Sequence, residues 1–169
     1  MSKLEIERKY VIRLPDQDAL SRIDGYECTE IIQTYLTARE GETRRVRARK
    51  YPERTVYTET SKLRVDGMSA IEREREIGET EYLRLVSEQA AGTRTIRKWR
   101  HSFPWCGLVI EIDVYPEWKR SCIMEIELPR RETEPCIPPF IKIIREVTGE
   151  RKYSNASMAR AFPEELSYL

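Results

Sequence analysis

The sequence predicts an α+β fold dominated by antiparallel strands, and three observations carry that prediction. Most windows alternate apolar with polar residues and are rich in Thr, Tyr, Ile and Val, the period and composition of half-buried strands. Only a few windows repeat at helical spacing. The breaks between strand-like segments are short and carry Gly or Pro, as connections in a meander do.

Residues 3–13 form the first candidate strand, which Pro15 stops; "DQDALSRI" beyond it offers acidic residues suited to the start of a short helix. Residues 29–38, 42–51 and 53–63 follow as a meander broken by "REG" and Pro52, and residues 70–78 alternate again. Gly78 then opens "ETEYLRLVSEQAAG", where Tyr82, Leu85 and Val86 fall at helical spacing until Gly92 ends it. Three further strands are expected over 93–103, 107–116 and 121–130. A helix is expected from Pro138 or Pro139, a residue type suited to a first helical turn, to Gly149. A short final helix is expected within "YSNASMARAF", capped by Ser154 or Asn155. No linker, low-complexity stretch or fixed repeat divides the chain, so residues 1–169 read as one domain of seven or eight strands with several helices.

Charged residues make up 35% of the chain, against roughly 25% in an average globular protein, yet the net charge is only +1. That balance excludes the net basic surface of a general nucleic-acid binder, and a 40% hydrophobic fraction excludes a disordered chain. No apolar run approaches a membrane span, and the acidic N-terminus lacks the apolar core of a signal peptide, so a cytoplasmic location is expected. Cys28, Cys106, Cys122 and Cys136 show no C-x-x-C spacing, and the single histidine, His101, cannot complete a usual zinc set with them. The cysteines read as free buried thiols and His101 as a surface residue.

The arrangement of the charges is more informative than their number. They fall on the predicted strands in i, i+2 sets sorted by sign: Glu5 and Glu7; Arg45, Arg47 and Arg49; Glu72, Glu74 and Glu76; Lys98 and Arg100; Glu111 and Asp113; Glu125 and Glu127. Each set shares one strand face. A single such pair fits an ordinary solvated sheet face. Repeated like-charge rows repel along a strand, so the whole set calls for outside charge. If the sheet curls into a barrel, these faces line a wet lumen and the apolar faces pack against helices outside. Clustered carboxylates suit a hard divalent cation, and clustered Arg and Lys suit phosphate oxygens. Neither G-x-x-x-x-G-K-[ST] nor G-x-G-x-x-G is present, so side chains must replace a backbone phosphate cradle; H-E-x-x-H and G-x-S-x-G are absent as well.

E5-I-E7-R-K9 resembles the E-x-E-x-K signature of the CYTH superfamily, the triphosphate tunnel metalloenzymes. The resemblance continues in order through "QTYL" (33–36), "RRVR" (44–47), "TETSK" ending at Lys62, "EREREI" (72–77), "IRKWR" (96–100), "EIDVY" (111–115), "MEIEL" (124–128) and "EVTGERKYSN" (146–155). It implies an eight-stranded antiparallel β-barrel, a tunnel with flanking helices, that holds a triphosphate and Mg²⁺ or Mn²⁺. Carried over by position, Lys9, Arg45, Arg47, Lys62, Lys98, Arg100 and Lys152 would contact phosphate. Glu5, Glu7, Glu72, Glu74, Asp113, Glu125 and Glu127 would bind or organise metal, with Glu111 a further acidic candidate. Glu5, Glu7, Lys9 and Lys98 are the expected catalytic residues. Ala70 departs from the family pattern, which often has Arg there, and the register of the Arg45, Arg47 and Arg49 ladder is open between its first and last two members.

The implied activity is metal-dependent hydrolysis of a small-molecule triphosphate, either inorganic tripolyphosphate or a nucleoside triphosphate. A class IV adenylyl cyclase, thiamine triphosphate hydrolysis and a polyphosphate-binding module without turnover use the same lumen. No aromatic or glycine-rich base pocket stands out in the sequence, which leans toward inorganic tripolyphosphate or loosely selected nucleotides. A homodimer is a further expectation, because a barrel with one open side often buries it.

Overall fold

The computed structural model describes residues 2–166. Its elements are β1 (Ser2–Arg13), α1 (Gln17–Ser21), β2 (Glu27–Leu36), β3 (Glu42–Lys50), β4 (Thr55–Arg64), β5 (Ser69–Ile77), α2 (Glu79–Val86), β6 (Ile96–Trp105), β7 (Leu108–Val114), β8 (Ser121–Glu127), β9 (Ile143–Glu146) and α3 (Asn155–Met158). The strands run in the order β5-β4-β3-β2-β6-β7-β8-β1, and β1 pairs back onto β5, so eight antiparallel strands close a ring. Closure depends on how β1 is shared. Residues 7–13 pair with β8, while residues 2–6 pair with β5, and the edge that β5 leaves open is taken by β9 from Tyr10 to Ile12.

Alternation along the strands then sorts the side chains. On the outside, Tyr10, Ile12, Phe103, Ile110, Ile112, Met124 and Ile126 form one buried cluster with Leu20 of α1 and Ile141. Leu36, Val46, Ala48 and Ile77 form another under Tyr82 and Leu85 of α2. Burying each such Leu or Ile contributes about 1.5–3 kcal/mol, so the outer clusters hold the ring closed around a polar interior. At one end the interior itself becomes apolar: Val11, Tyr35, Ile96, Tyr115 and Ile123 pack with Trp118, Tyr153 and Met158. This plug sets α3 across that end of the lumen.

Three expectations are corrected. The segment after Pro138 is not a helix but a turn leading to β9. Ile143 and Ile144 are β-branched, and the open half-edge of β1 offers hydrogen bonds that a helix there would leave unmade. His101 is buried rather than on the surface, with Nδ1 2.7 Å from the Tyr26 hydroxyl, and burial lowers its pKa. Of the thiols, only Cys122 is fully buried; Cys28 is half-buried, and Cys106 and Cys136 are exposed. Ser154 does cap α3, its hydroxyl accepting from the Ser157 N–H. Among the described residues no helix is long and apolar enough to cross a membrane.

Candidate active site

The inward-facing residues enclose a cavity of about 600 Å³. Register explains who meets whom: Glu7 stands opposite Glu127 and Lys9 opposite Glu125 between β1 and β8, while Glu111 of β7 stands opposite Glu125. On the far side, Lys62 of β4 stands opposite Glu72 and Thr60 opposite Glu74 of β5, with Arg45 opposite Thr60 on β3. Strand pairing thus converts the i, i+2 charge rows of the sequence into cross-strand layers.

Three charge clusters result. In the first, Asp113 accepts from Arg100 at 2.7 Å on each oxygen and from Lys98 Nζ at 2.6 Å; Arg100 also reaches Glu111 at 2.5 Å and Glu125 at 3.1 Å. Lys9 Nζ lies 2.9 Å from Glu125 and 3.7 Å from Glu7. Asn155 Oδ1 of α3 faces Lys98 Nζ at 3.4 Å and accepts from the Tyr115 hydroxyl at 2.9 Å. In the second, Lys62 donates to Glu5 at 2.9 Å, and Lys62 and Arg45 each approach Glu72 at 3.7 Å. In the third, Glu74 takes Arg47 at 2.5 Å, the Thr60 hydroxyl at 2.9 Å and Arg49 at 3.4 Å.

These surroundings pull the protonation states apart. Burial, with Arg45 and Arg49 repelling from either side, pushes the Arg47 guanidinium down to about 9. Burial, against the pull of Asp113 and with Arg100 beside it, pushes Lys98 down to about 8. Lys9 is also buried, but Glu125 and Glu7 outweigh that and hold its pKa up. Burial raises Glu72, helped by the neighbouring Glu5 carboxylate, and burial raises Glu111 despite Arg100. The wall around β3 is left with unused hydrogen-bonding capacity: Nε of Arg45, Arg47 and Arg49 on β3, the Thr58 hydroxyl on β4 and Gln33 Oε1 on β2 are buried without a partner.

A charged lumen inside an eight-stranded ring can be compared with known proteins. No protein-family model matches the chain, and no curated protein does. Among solved structures, the inorganic triphosphatase NE1496 is 26% identical over 95% of this chain and 97% of its own, with a TM-score of 0.59. That match, over nearly the whole of both chains, is consistent with the triphosphate tunnel metalloenzyme superfamily. Two more distant structures share the fold: a candidate adenylyl cyclase from Hippeastrum with a dominant triphosphatase activity (18% identity, 75% of this chain and 81% of that one, TM-score 0.50) and a candidate adenylate cyclase from Vibrio parahaemolyticus (13%, 75% and 79%, 0.51).

The lumen gathers Glu5, Glu7, Lys9, Arg45, Arg47, Lys62, Glu72, Glu74, Lys98, Arg100, Glu125 and Glu127, together with Glu111. Two expected residues stand apart from it. Asp113 is 1% exposed and does not line the cavity, because Lys98 and Arg100 occupy its oxygens. Lys152 points away, its Nζ 5.1 Å from the Tyr153 ring centre, and the preceding Arg151 lines the cavity instead. All three members of the Arg45, Arg47 and Arg49 ladder line the lumen.

Sequence reasoning missed Arg64, Tyr35 and Arg151. Arg64 was findable, since it lies two residues beyond Lys62 on one strand face, and it stands opposite Ala70. Arg151 lies on a 3₁₀ turn and carries no periodic signal.

Among the described residues no three acidic, His or Cys side chains converge in the geometry of a metal site. Glu5, Glu7, Glu72, Glu74, Glu111, Glu125 and Glu127 are instead each turned toward a cation. The donor chemistry nonetheless fits a hard divalent ion. Among the described residues ten Asp and Glu side chains line the cavity against nine Lys and Arg, so a polyanion entering alone would meet no net positive charge. The crowded Glu5 and Glu72 pair, and Glu7 facing Glu127, are where an added cation would relieve repulsion.

Proposed function

We propose that the chain hydrolyses the terminal phosphoanhydride of a linear triphosphate, with inorganic tripolyphosphate as the substrate that suits the lumen best. The observation that carries this reading is the β3 wall, where the Nε groups of Arg45, Arg47 and Arg49 are buried without acceptors on side chains that line a charged cavity. The planar fork of a guanidinium can donate to two phosphate oxygens at once. Tyr35 is the one aromatic ring among the described cavity-lining residues, which leaves little to stack on a nucleotide base.

In this reading Arg45, Arg47 and Arg49 hold the phosphate chain along β3, while Lys98, Arg100 and Lys9 face it from the opposite side. Water attacks the terminal phosphorus, the bond to the bridging oxygen breaks, and orthophosphate and pyrophosphate leave. Such a reaction needs chiefly positioning and charge neutralisation, which a fixed cage of cations provides without reorganising. Glu5, Glu7, Glu72 and Glu127 would hold Mg²⁺ or Mn²⁺, which when bound supplies further charge neutralisation on the phosphate oxygens.

The test is incubation of the purified protein with tripolyphosphate, ATP or thiamine triphosphate, each with Mg²⁺ or Mn²⁺, and chromatography of the products. Equal amounts of orthophosphate and pyrophosphate from tripolyphosphate are expected. Cyclic AMP with pyrophosphate from ATP would replace this reading with the cyclase, and tight binding without turnover would replace it with a binding module.

A further inference from the structure

Two thiols lie far from the lumen and side by side. Cys106 and Gly107 form the two-residue turn between β6 and β7, both with positive φ, at +48° and +75°. That turn favours Asn, Asp or Gly in its first position, so a cysteine there lacks a conformational reason. Its Sγ lies 2.6 Å from Sγ of Cys136, and both residues are exposed.

Cys136 belongs to residues 128–142, the long connection between β8 and β9. The connection is rich in proline and is anchored by side chains: Arg131 Nη1 donates to Asp66 at 2.5 Å and to Ser69 at 3.0 Å, and Arg8 donates to Glu134 at 2.8 Å. Few backbone bonds hold it, two of them being Thr133 N–H to Arg130 and Ile141 N–H to Pro138. A covalent link at Cys136 would therefore restrain the part of the chain with the least regular pairing.

We propose that Cys106 and Cys136 are a thiol pair that oxidises to one intramolecular disulfide, tying this connection to the β6–β7 turn. The co-reactant is an oxidised low-molecular-weight disulfide. One cysteine thiolate attacks a sulfur of it and expels one small thiol; the second cysteine thiolate attacks the resulting mixed disulfide and expels the other. The two cysteines lose two electrons, the small disulfide gains them, and the two cysteine protons end on the released thiols. Cys122, sealed in the outer core, and Cys28, half-buried on β2, stay reduced.

The experiment equilibrates the full-length protein with reduced or oxidised glutathione. It is then denatured in N-ethylmaleimide and analysed by intact mass and peptide mapping, with a thermal melt of each state. The oxidised wild type is expected to take up two maleimides instead of four, to yield a peptide joining Cys106 to Cys136, and to melt about 5 °C higher than the reduced form. Cys106→Ser and Cys136→Ser are expected to form no internal bridge and to lose this redox-dependent shift. Four maleimides on the oxidised wild type, glutathione retained on both cysteines, or a bridge between two chains would overturn the pairing. A bridged wild type whose melting temperature does not move would overturn the tether.

Discussion

On the side of the lumen formed by β6, β7 and β8, Asp113 gives both oxygens to Lys98 and Arg100, and Arg100 goes on to Glu111 and Glu125. On the β3 side, Arg45, Arg47 and Arg49 bury Nε groups that nothing in the protein accepts from. The first wall is complete without a ligand, and its buried charges balance one another. The second buries Arg47 between Arg45 and Arg49, and burial together with that repulsion pushes it down to about 9, an arrangement that favours an added anion. A buried charge cluster can thus hold its cations in place or leave them short of acceptors, and what separates the two is whether its hydrogen bonds are already made.

The comparison breaks hardest at Asp113. Asp113→Ala leaves Lys98 and Arg100 buried beside an uncompensated hole, and a loss of about 3–5 kcal/mol is expected, seen as a fall of about 10 °C in Tm. A Tm near the wild-type value would mean that this wall is not the scaffold. Glu127→Ala tests the lumen rim instead. Its side chain is half-exposed and paired with Lys3, so the fold should hold while turnover falls about 100-fold, partly restored by raised Mg²⁺ or Mn²⁺. Wild-type kinetics would make Glu127 ordinary surface.

A smaller effect sharpens the electrostatic side. Lys98, which burial lowers to about 8, loses its charge as pH rises through that value. Tripolyphosphate binding in a chelator should therefore weaken about tenfold between pH 7 and pH 9, with protons taken up on binding near pH 8.5. Titration calorimetry in two buffers of different ionisation enthalpy reads both, and a flat profile would show that Lys98 does not face the anion. The smallest effect belongs to Lys152→Ala, for which turnover within about twofold of wild type is expected from its position outside the cavity.

Much of this was legible in the sequence because strand period and charge period coincide. Glu5, Glu7 and Lys9 announce a common face by spacing alone, and the sign-sorted rows announce that those faces meet. The helix expected after Pro138 failed because an open edge on β1 outweighed local preference, a tertiary fact that no window contains. Asp113 shows the limit most clearly. Its spacing from Glu111 matches every other acidic pair, yet its role depends on Lys98 and Arg100 arriving from a neighbouring strand. Arg151 was missed for the opposite reason, since it reaches the cavity from a turn where no period applies.

The most direct test of the β3 wall is the tripolyphosphate kcat/KM of Arg47→Ala with Mg²⁺ or Mn²⁺, measured beside its thermal melt. Glu74 keeps Arg49 and the Thr60 hydroxyl when Arg47 is removed, and Arg45 and Arg49 lose a repelling neighbour, so the fold should stand. A fall of about 10²–10³-fold in kcat/KM with Tm within about 3 °C of wild type is the predicted result. Wild-type kcat/KM in a folded Arg47→Ala protein would contradict the account.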